Sequence, residues 1–125
     1  MSGIAGKVHV ITGGCGGIAR ATAHRLASRG GIVVLTGRDV EQGERRAAEL
    51  RVETNGDVRF CPMDVTDSAA TENAAKKIAA ELGPIHGLVI NAAKAHIAPA
   101  LDHSDSDWRD VMAKHFLALV VLLRA

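Results

Sequence analysis

The sequence predicts an α/β fold in which a doubly wound parallel sheet carries helices on both faces. Apolar runs of strand length alternate with longer, alanine-rich stretches of helical length along the 125 residues. A glycine-rich segment, residues 13–17, directly follows the first apolar run, and the second run is apolar on both faces. With right-handed crossovers the strand order is 3-2-1-4, and the sheet is incomplete on its C-terminal side.

The predicted elements follow in the order βαβαβαβ, with a last helix beyond the fourth strand. The strands are expected at about residues 8–12, 32–36, 58–62 and 85–91. The first two helices are expected at about residues 17–29 and 40–52, the third reaches Leu82, and the last begins at Asp107. The residues of the first helix that are expected to contact the core are Ile18, Ala21, Ala23 and Leu26.

Capping residues mark the ends of these helices. Glycine and asparagine tolerate the left-handed conformation that follows many helices, and proline cannot continue a helix. The expected helix ends are the pairs Gly30-Gly31, Asn55-Gly56 and Gly83-Pro84. The expected N-caps are Asp39 for the second helix, Asp67 or Thr66 for the third, and Ser104 or Asp105 for the last.

The composition indicates a globular protein of one domain. Hydrophobic residues make up 47% and charged residues 23%, which argues against a disordered chain. The net charge is +1 and aromatic residues are only 2%, so neither a strong field nor stacking rings favour nucleic acid as a partner. The longest apolar run, residues 116–123, is far shorter than the ~20 residues that span a bilayer.

The cysteines and the N-terminal residues indicate the cellular compartment in which the protein is expected. Cys15 and Cys61 do not have the spacing of a metal site, and a disulfide framework needs more cysteines than two. The residues before the first strand lack the charged and apolar regions of a signal peptide. We therefore expect a soluble cytoplasmic protein with no metal site.

The glycine-rich turn between the first strand and the first helix is typical of a phosphate-binding site. Gly13 permits a tight turn out of the strand, and small residues let backbone N–H groups approach a pyrophosphate. The helix N-terminus adds unpaired donors and a partial positive charge. The predicted nucleotide-binding residues of this turn are Thr12, Gly13, Cys15, Gly16, Gly17 and Ile18. The alternative is a loop that only packs the helix tightly against the sheet.

The end of the second strand bears on the choice of nucleotide. An acidic residue there would hydrogen-bond the adenosine ribose and select NAD, but this chain has Thr36 at that position. Arg38 follows two residues later, and its planar guanidinium suits a phosphate. The pattern predicts a preference for NADP, with NAD possible. The alternative is that Arg38 is a surface residue in a turn.

These residues closely resemble the short-chain dehydrogenase/reductase family, whose nucleotide motif is Thr-Gly-x-x-x-Gly-x-Gly. Thr12, Gly13 and Gly17 match that motif, whereas Ala19 stands where its last glycine is usual. The resemblance extends over essentially the whole chain. It implies a Rossmann-like fold, with residues 1–125 forming a single NAD(P)-binding domain.

Three later segments carry the same resemblance. Asp64-Val65 is similar to the family's Asp-Val, which implies a contact between the carboxylate and the adenine amino group; the alternative is a turn residue before a helix cap. Asn91, Ala92 and Ala93 resemble the family's Asn-Asn-Ala-Gly, which borders the nicotinamide ribose, although Ile90 and Ala93 depart from it. Trp108 and the following residues resemble the start of the family's long fourth helix.

The resemblance also implies the reaction, which is hydride transfer between nicotinamide and a carbonyl or alcohol carbon of a small-molecule substrate. The family's proton donor is the tyrosine of a Tyr-x-x-x-Lys motif, and this chain contains no tyrosine. We therefore expect it to carry the nucleotide-binding half only and to be inactive alone. His115 stands at the family's helix-asparagine position and could relay a proton, or it could be a helix residue without a role.

The last helix is expected to be apolar all round, from Phe116 to Leu123, and such a helix must be buried. The fourth strand is expected to be an apolar exposed edge. Both features favour a truncated chain that forms a homo-oligomer through this helix. The alternatives are a non-catalytic NADP-binding module, a truncated non-functional product, or a methyltransferase using S-adenosylmethionine, which Thr36 and Arg38 argue against.

Overall fold

The computed structural model describes residues 3–14, 16–91 and 99–113. Its four strands form one parallel sheet in the order β3-β2-β1-β4, which confirms the predicted order. The strands are β1 (Val8–Ile11), β2 (Ile32–Gly37), β3 (Asp57–Pro62) and β4 (Ile85–Val89). The helices are α1 (Gly17–Ser28), α2 (Val40–Thr54), α3 (Ser68–Leu82) and α4 (Asp105–Met112), with a short 3₁₀ turn at Ala100–Asp102.

The sheet has a buried cluster on each face, as a doubly wound fold requires. One cluster joins α1 and α2 to the sheet and includes Ala23, Leu50 and Val33. The other joins α3 to the opposite face and includes Ile78 and Val34. The two clusters hold the helices in place and leave the ends of the strands open.

Side-chain caps fix where three helices begin. The Asp39 carboxylate accepts from the Gln42 N–H at 3.0 Å, and the Asp67 carboxylate accepts from the Ala70 N–H at 3.0 Å. Ser104 caps α4 through a reciprocal pair of bonds with Asp107. The N-cap of α3 is therefore Asp67 rather than Thr66. Because Ser104 is the cap of the last helix, α4 begins at Asp105, two residues before the predicted start.

The predicted orientation of α1 was partly wrong. Ala23 is buried and Leu26 packs against the core, but Ala21 is exposed and Ile18 is 74% exposed. The buried residues of α1 are Ala19, Ala23 and Ala27. Their four-residue spacing forms a stripe of small side chains, which lets the helix approach the sheet closely.

The bounds of all four strands differ from the prediction by one or two residues: β1 ends at Ile11 rather than at residue 12, and β3 begins at Asp57 rather than at residue 58. β2 continues to Gly37, because Gly37 pairs with Pro62 and its carbonyl accepts from the Met63 N–H at 2.9 Å. β4 ends at Val89 because its partner β1 ends at Ile11, the residue paired with Val89. In the part of the chain that is described, β4 has no second partner strand, so it lies at the edge of the sheet.

The segment beyond β4 carries exposed apolar side chains. Leu101 is exposed in the 3₁₀ turn, and Trp108 on α4 is 50% exposed, with its ring centroid 5.1 Å from that of His103. The predicted apolar helix over residues 116–123 lies outside the described residues. Among the helices that are described, none is long and apolar enough to cross a membrane.

Gly43→Ala should destabilise the fold, because an added Cβ would lie 2.1 Å from the Phe60 ring. Overpacking of this kind costs roughly 1–3 kcal/mol, although alanine is otherwise better than glycine inside a helix. Urea unfolding measures the change. The exposed neighbour Glu44→Ala is the control and should shift the free energy of unfolding by less than about 0.5 kcal/mol. Equal or greater stability of Gly43→Ala would contradict the packing of α2 on β3.

Candidate functional site

The loops that follow the four parallel strands meet at one edge of the sheet. Strand order reverses between β1 and β4, because β1 leads on to β2 and β3 on one side and β4 lies on the other. In open α/β sheets, ligands bind in the crevice at such a reversal, beyond the carboxyl ends of the strands. The candidate residues that the structure describes lie at or next to this edge.

The glycines of the turn after β1 serve different purposes. Gly13 has a φ of +66°, a conformation that favours glycine. Gly14 lies against β2, where an added Cβ would be 2.7 Å from the Leu35 Cβ, and its N–H donates to the Thr36 carbonyl at 3.0 Å. Gly17 is exposed, and among the described residues outside its own helix an added Cβ there would meet no atom within 4 Å. Packing against Leu35 therefore requires glycine at position 14. At position 17 the glycine instead borders open space.

The first backbone N–H groups of α1 lie beside the open space at Gly17. Its N-cap is Gly16, which has no side chain to accept a hydrogen bond, and the first turn contains no acidic residue. The first N–H groups of a helix have no partner within the helix, so an anion can accept from them. Ile18, largely exposed at the second position of α1, borders the same space.

Thr12 and Asn91 tie the glycine-rich turn to β4. The Thr12 side chain is fully buried, and its hydroxyl oxygen accepts from the Asn91 N–H at 3.0 Å. The Asn91 side-chain amide donates to the Gly13 carbonyl at 3.2 Å. Because Thr12 is buried, it acts on a ligand only through the position of the turn that it holds.

The end of β2 carries the cationic side chain of Arg38, and the carboxylate next to it, that of Asp39, caps α2. Thr36 is fully buried, and its hydroxyl donates to the Ile11 carbonyl at 3.2 Å. Arg38 is exposed, and in residues 3–14, 16–91 and 99–113 it has no hydrogen bond or ion pair. The nearby carboxylate, Asp39, accepts from α2 as its N-cap. An anionic group beside Arg38 would therefore meet a guanidinium that no carboxylate neutralises.

Asp64 and Val65 form the turn between β3 and α3. The Asp64 carboxylate accepts from the N–H and the hydroxyl of Thr66 and so closes a turn before Asp67, the N-cap of α3; its contact with adenine stays a prediction. Val65 is half-buried and packs against the cluster under α3. Thr66 was not predicted as a site residue, although an Asp followed two residues later by a hydrogen-bonding N–H is a known turn signal.

Cys15, Ala92, Ala93 and His115 lie outside the described residues. Among those described, no three His, Cys, Asp or Glu side chains are grouped so that they could hold a metal ion. Cys61 is buried on β3, and burial raises the pKa of its thiol, which disfavours the reactive thiolate.

The comparisons with known proteins agree with this geometry. The family model for short chain dehydrogenase matches residues 7–125, so the chain belongs to the short-chain dehydrogenase/reductase family. The match excludes the methyltransferase alternative. D-Threitol dehydrogenase of Mycolicibacterium smegmatis is 34% identical over 120 residues, which cover 96% of this chain and 46% of that protein.

Solved structures show the same fold with both nicotinamide dinucleotides. NAD⁺-bound xylitol dehydrogenase has a TM-score of 0.92 and 30% identity, covering 99% of this chain and 48% of the other. L-Sorbose reductase of Gluconobacter frateurii, complexed with NADPH and L-sorbose, has a TM-score of 0.90 and 29% identity, covering 98% and 46%. The chain spans about half the length of these relatives.

Gly14→Ala and Gly17→Ala should differ sharply in stability. At Gly14 the new Cβ meets the Cα and Cβ of Leu35, which cannot move away, so we expect a loss of roughly 1–3 kcal/mol. At Gly17 the Cβ enters open space at the start of a helix, where alanine costs nothing and contributes up to about 1 kcal/mol. Urea unfolding of both variants tests the assignment, and equal stabilities would refute it.

Proposed function

We propose that this chain is the dinucleotide-binding half of an NADP-preferring oxidoreductase. The reaction transfers hydride between the nicotinamide and a carbonyl or alcohol carbon of a small molecule. The observation that carries the proposal is the pairing of two features at one edge of the sheet. The N-terminus of α1 has no side-chain cap and lies beside the exposed Gly17, and Arg38 is exposed without a hydrogen bond or ion pair among the described residues.

The described residues fit a dinucleotide. The space beside Gly17 would receive the pyrophosphate, whose oxygens would accept from the first N–H groups of α1. Arg38 would donate to the 2′-phosphate, since a guanidinium matches phosphate geometry. Asp64 would accept from the adenine amino group, and Asn91 would hold the turn beside the nicotinamide ribose. When bound, the nicotinamide supplies or accepts the hydride.

The proton for the reaction has to come from another group. A carbonyl that receives a hydride also needs a proton, and the family uses a tyrosine for this step, whereas these 125 residues contain none. We therefore propose that this segment alone binds nucleotide without turnover. His115 remains the candidate for a proton relay within it.

Two further parts of the proposal rest on the sequence. The small-molecule substrate would be bound by residues beyond this half of the enzyme. A homo-oligomer would form through the last helix, whose apolar residues at 116–123 need a covering surface.

A second candidate function is a non-catalytic NADP-binding module. The two functions differ in whether the natural coding sequence continues past the codon for Ala125 into a Tyr-x-x-x-Lys motif. Sequencing the source DNA, together with the intact mass of the native product, distinguishes them.

Arg38→Ala should narrow the preference for NADPH over NADH. The variant loses the contact with the 2′-phosphate, so NADPH should bind roughly tenfold more weakly while NADH binding stays the same. Titrations followed by nicotinamide fluorescence measure both affinities. Arg45→Ala, which removes an exposed arginine from α2, is the control and should preserve the preference. If the unaltered chain binds NADPH and NADH equally, Arg38 is only a surface residue.

Gly17→Ala should weaken NADPH and NADH binding alike, by roughly tenfold, because the Cβ occupies space that the pyrophosphate needs in both. The same titrations measure the effect, and the unfolding curve shows that the fold is retained. A variant that binds both nucleotides as tightly as the unaltered chain would place the pyrophosphate elsewhere.

A further inference from the structure

A shallow groove follows the outer surface of α1 toward the C-terminal end of the helix. Its volume is about 590 Å³. Two rows of side chains spaced four residues apart form it, and most of the long ones are cationic. The groove, called the α1 groove below, is lined by Arg20, Ala21, His24, Arg25, Ser28 and Arg29.

The charge of the α1 groove is positive. The sequence of α1 contains no Asp or Glu, and among the residues that the structure describes no carboxylate lines the groove. Arg20 is bonded to Glu53 of α2, so its charge is neutralised. Arg25 and Arg29 are exposed, and within the described ranges their guanidinium groups form no hydrogen bond or ion pair. The groove therefore offers two uncompensated cations to a partner.

The spacing of Arg25 and Arg29 indicates what kind of anion fits. Residues four apart share a face of a helix and are separated by about 6 Å along its axis. In an extended chain, residues two apart also share a face and are separated by about 6.7 Å. A guanidinium binds a carboxylate through two parallel N–H bonds. Two carboxylates at alternate positions of an extended segment therefore match the two arginines.

We infer that the α1 groove binds an extended acidic segment of another protein, whose alternate carboxylates pair with Arg25 and Arg29. The inference is independent of the proposed function. Arg25 lies about 12 Å along the helix from Gly17, so the groove and the space beside the glycine-rich turn are separate.

A second copy of this chain does not offer such a segment. The sequence has two pairs of acidic residues at alternate positions, Asp39 with Glu41 and Asp105 with Asp107. Each pair lies at the start of a helix, where the chain is not extended. The partner is therefore a different protein.

The test is fluorescence anisotropy with a short labelled peptide that carries glutamate at two alternate positions and serine elsewhere. A second peptide of the same composition has its glutamates adjacent, so that their side chains lie on opposite faces of an extended chain. The unaltered chain is compared with the double variant that combines Arg25→Ala with Arg29→Ala. The matched control combines Arg45→Ala with Lys76→Ala, which removes the same charge from exposed positions of α2 and α3.

The unaltered chain should bind the alternate peptide about threefold more tightly than the adjacent peptide, because both carboxylates then face the helix. The double variant should bind the alternate peptide about fivefold more weakly and lose the preference, since two exposed ion pairs are removed. Each single variant should lose part of the affinity, and the control should keep both affinity and preference. A melting curve of each variant shows that it is folded.

Three results would overturn the inference. If both peptides bind the unaltered chain equally, the groove attracts anions without reading their spacing. If the double variant binds the alternate peptide as tightly as the unaltered chain does, the peptide lies elsewhere. If neither peptide binds measurably, Arg25 and Arg29 are only solvated residues near the end of a helix.

Discussion

The main-chain N–H of Thr12 donates to the Val89 carbonyl at 3.0 Å, and this bond continues the pairing with β4 one residue beyond the end of β1. The strand β4 reaches β1 only after the chain has passed through β2, β3 and α3, so no short loop fixes their distance. The hydroxyl of Thr12 adds the bond from Asn91, and Asn91 bonds back to Gly13. The crevice at the reversal of strand order keeps its shape through these contacts.

Thr36 ties the glycine-rich turn to β2, on the other side of β1. It is fully buried, and its hydroxyl donates to the Ile11 carbonyl at 3.2 Å, which gives this buried hydroxyl a partner. Its own carbonyl accepts from Gly14. The glycine-rich turn is therefore bound to both neighbouring strands, and its open side is the one that faces the start of α1.

The strand order and the helix caps could be predicted because their signals are local: short apolar runs, Asp or Ser before a helix, and glycine or asparagine after it. The orientation of α1 could not, since in an alanine-rich helix Ala21 is as apolar as Ala19, and only packing against the sheet decides which is buried. The end of β4 depends on the length of β1, which is not a property of β4. For the site, the glycines and Arg38 stood out in the sequence, but the burial of Thr12 arises from contacts between segments that are distant in the sequence.

Trp108 is the one tryptophan of a chain without tyrosine, so practically all of its intrinsic ultraviolet emission comes from α4. Its indole is half exposed and lies beside the His103 ring, well away in sequence from the glycine-rich turn. Changes in this emission therefore report on α4 and on the contact between its indole and the His103 ring. Optical signals from the protein and from a bound dinucleotide thus come from two separate groups, the indole on α4 and the nicotinamide.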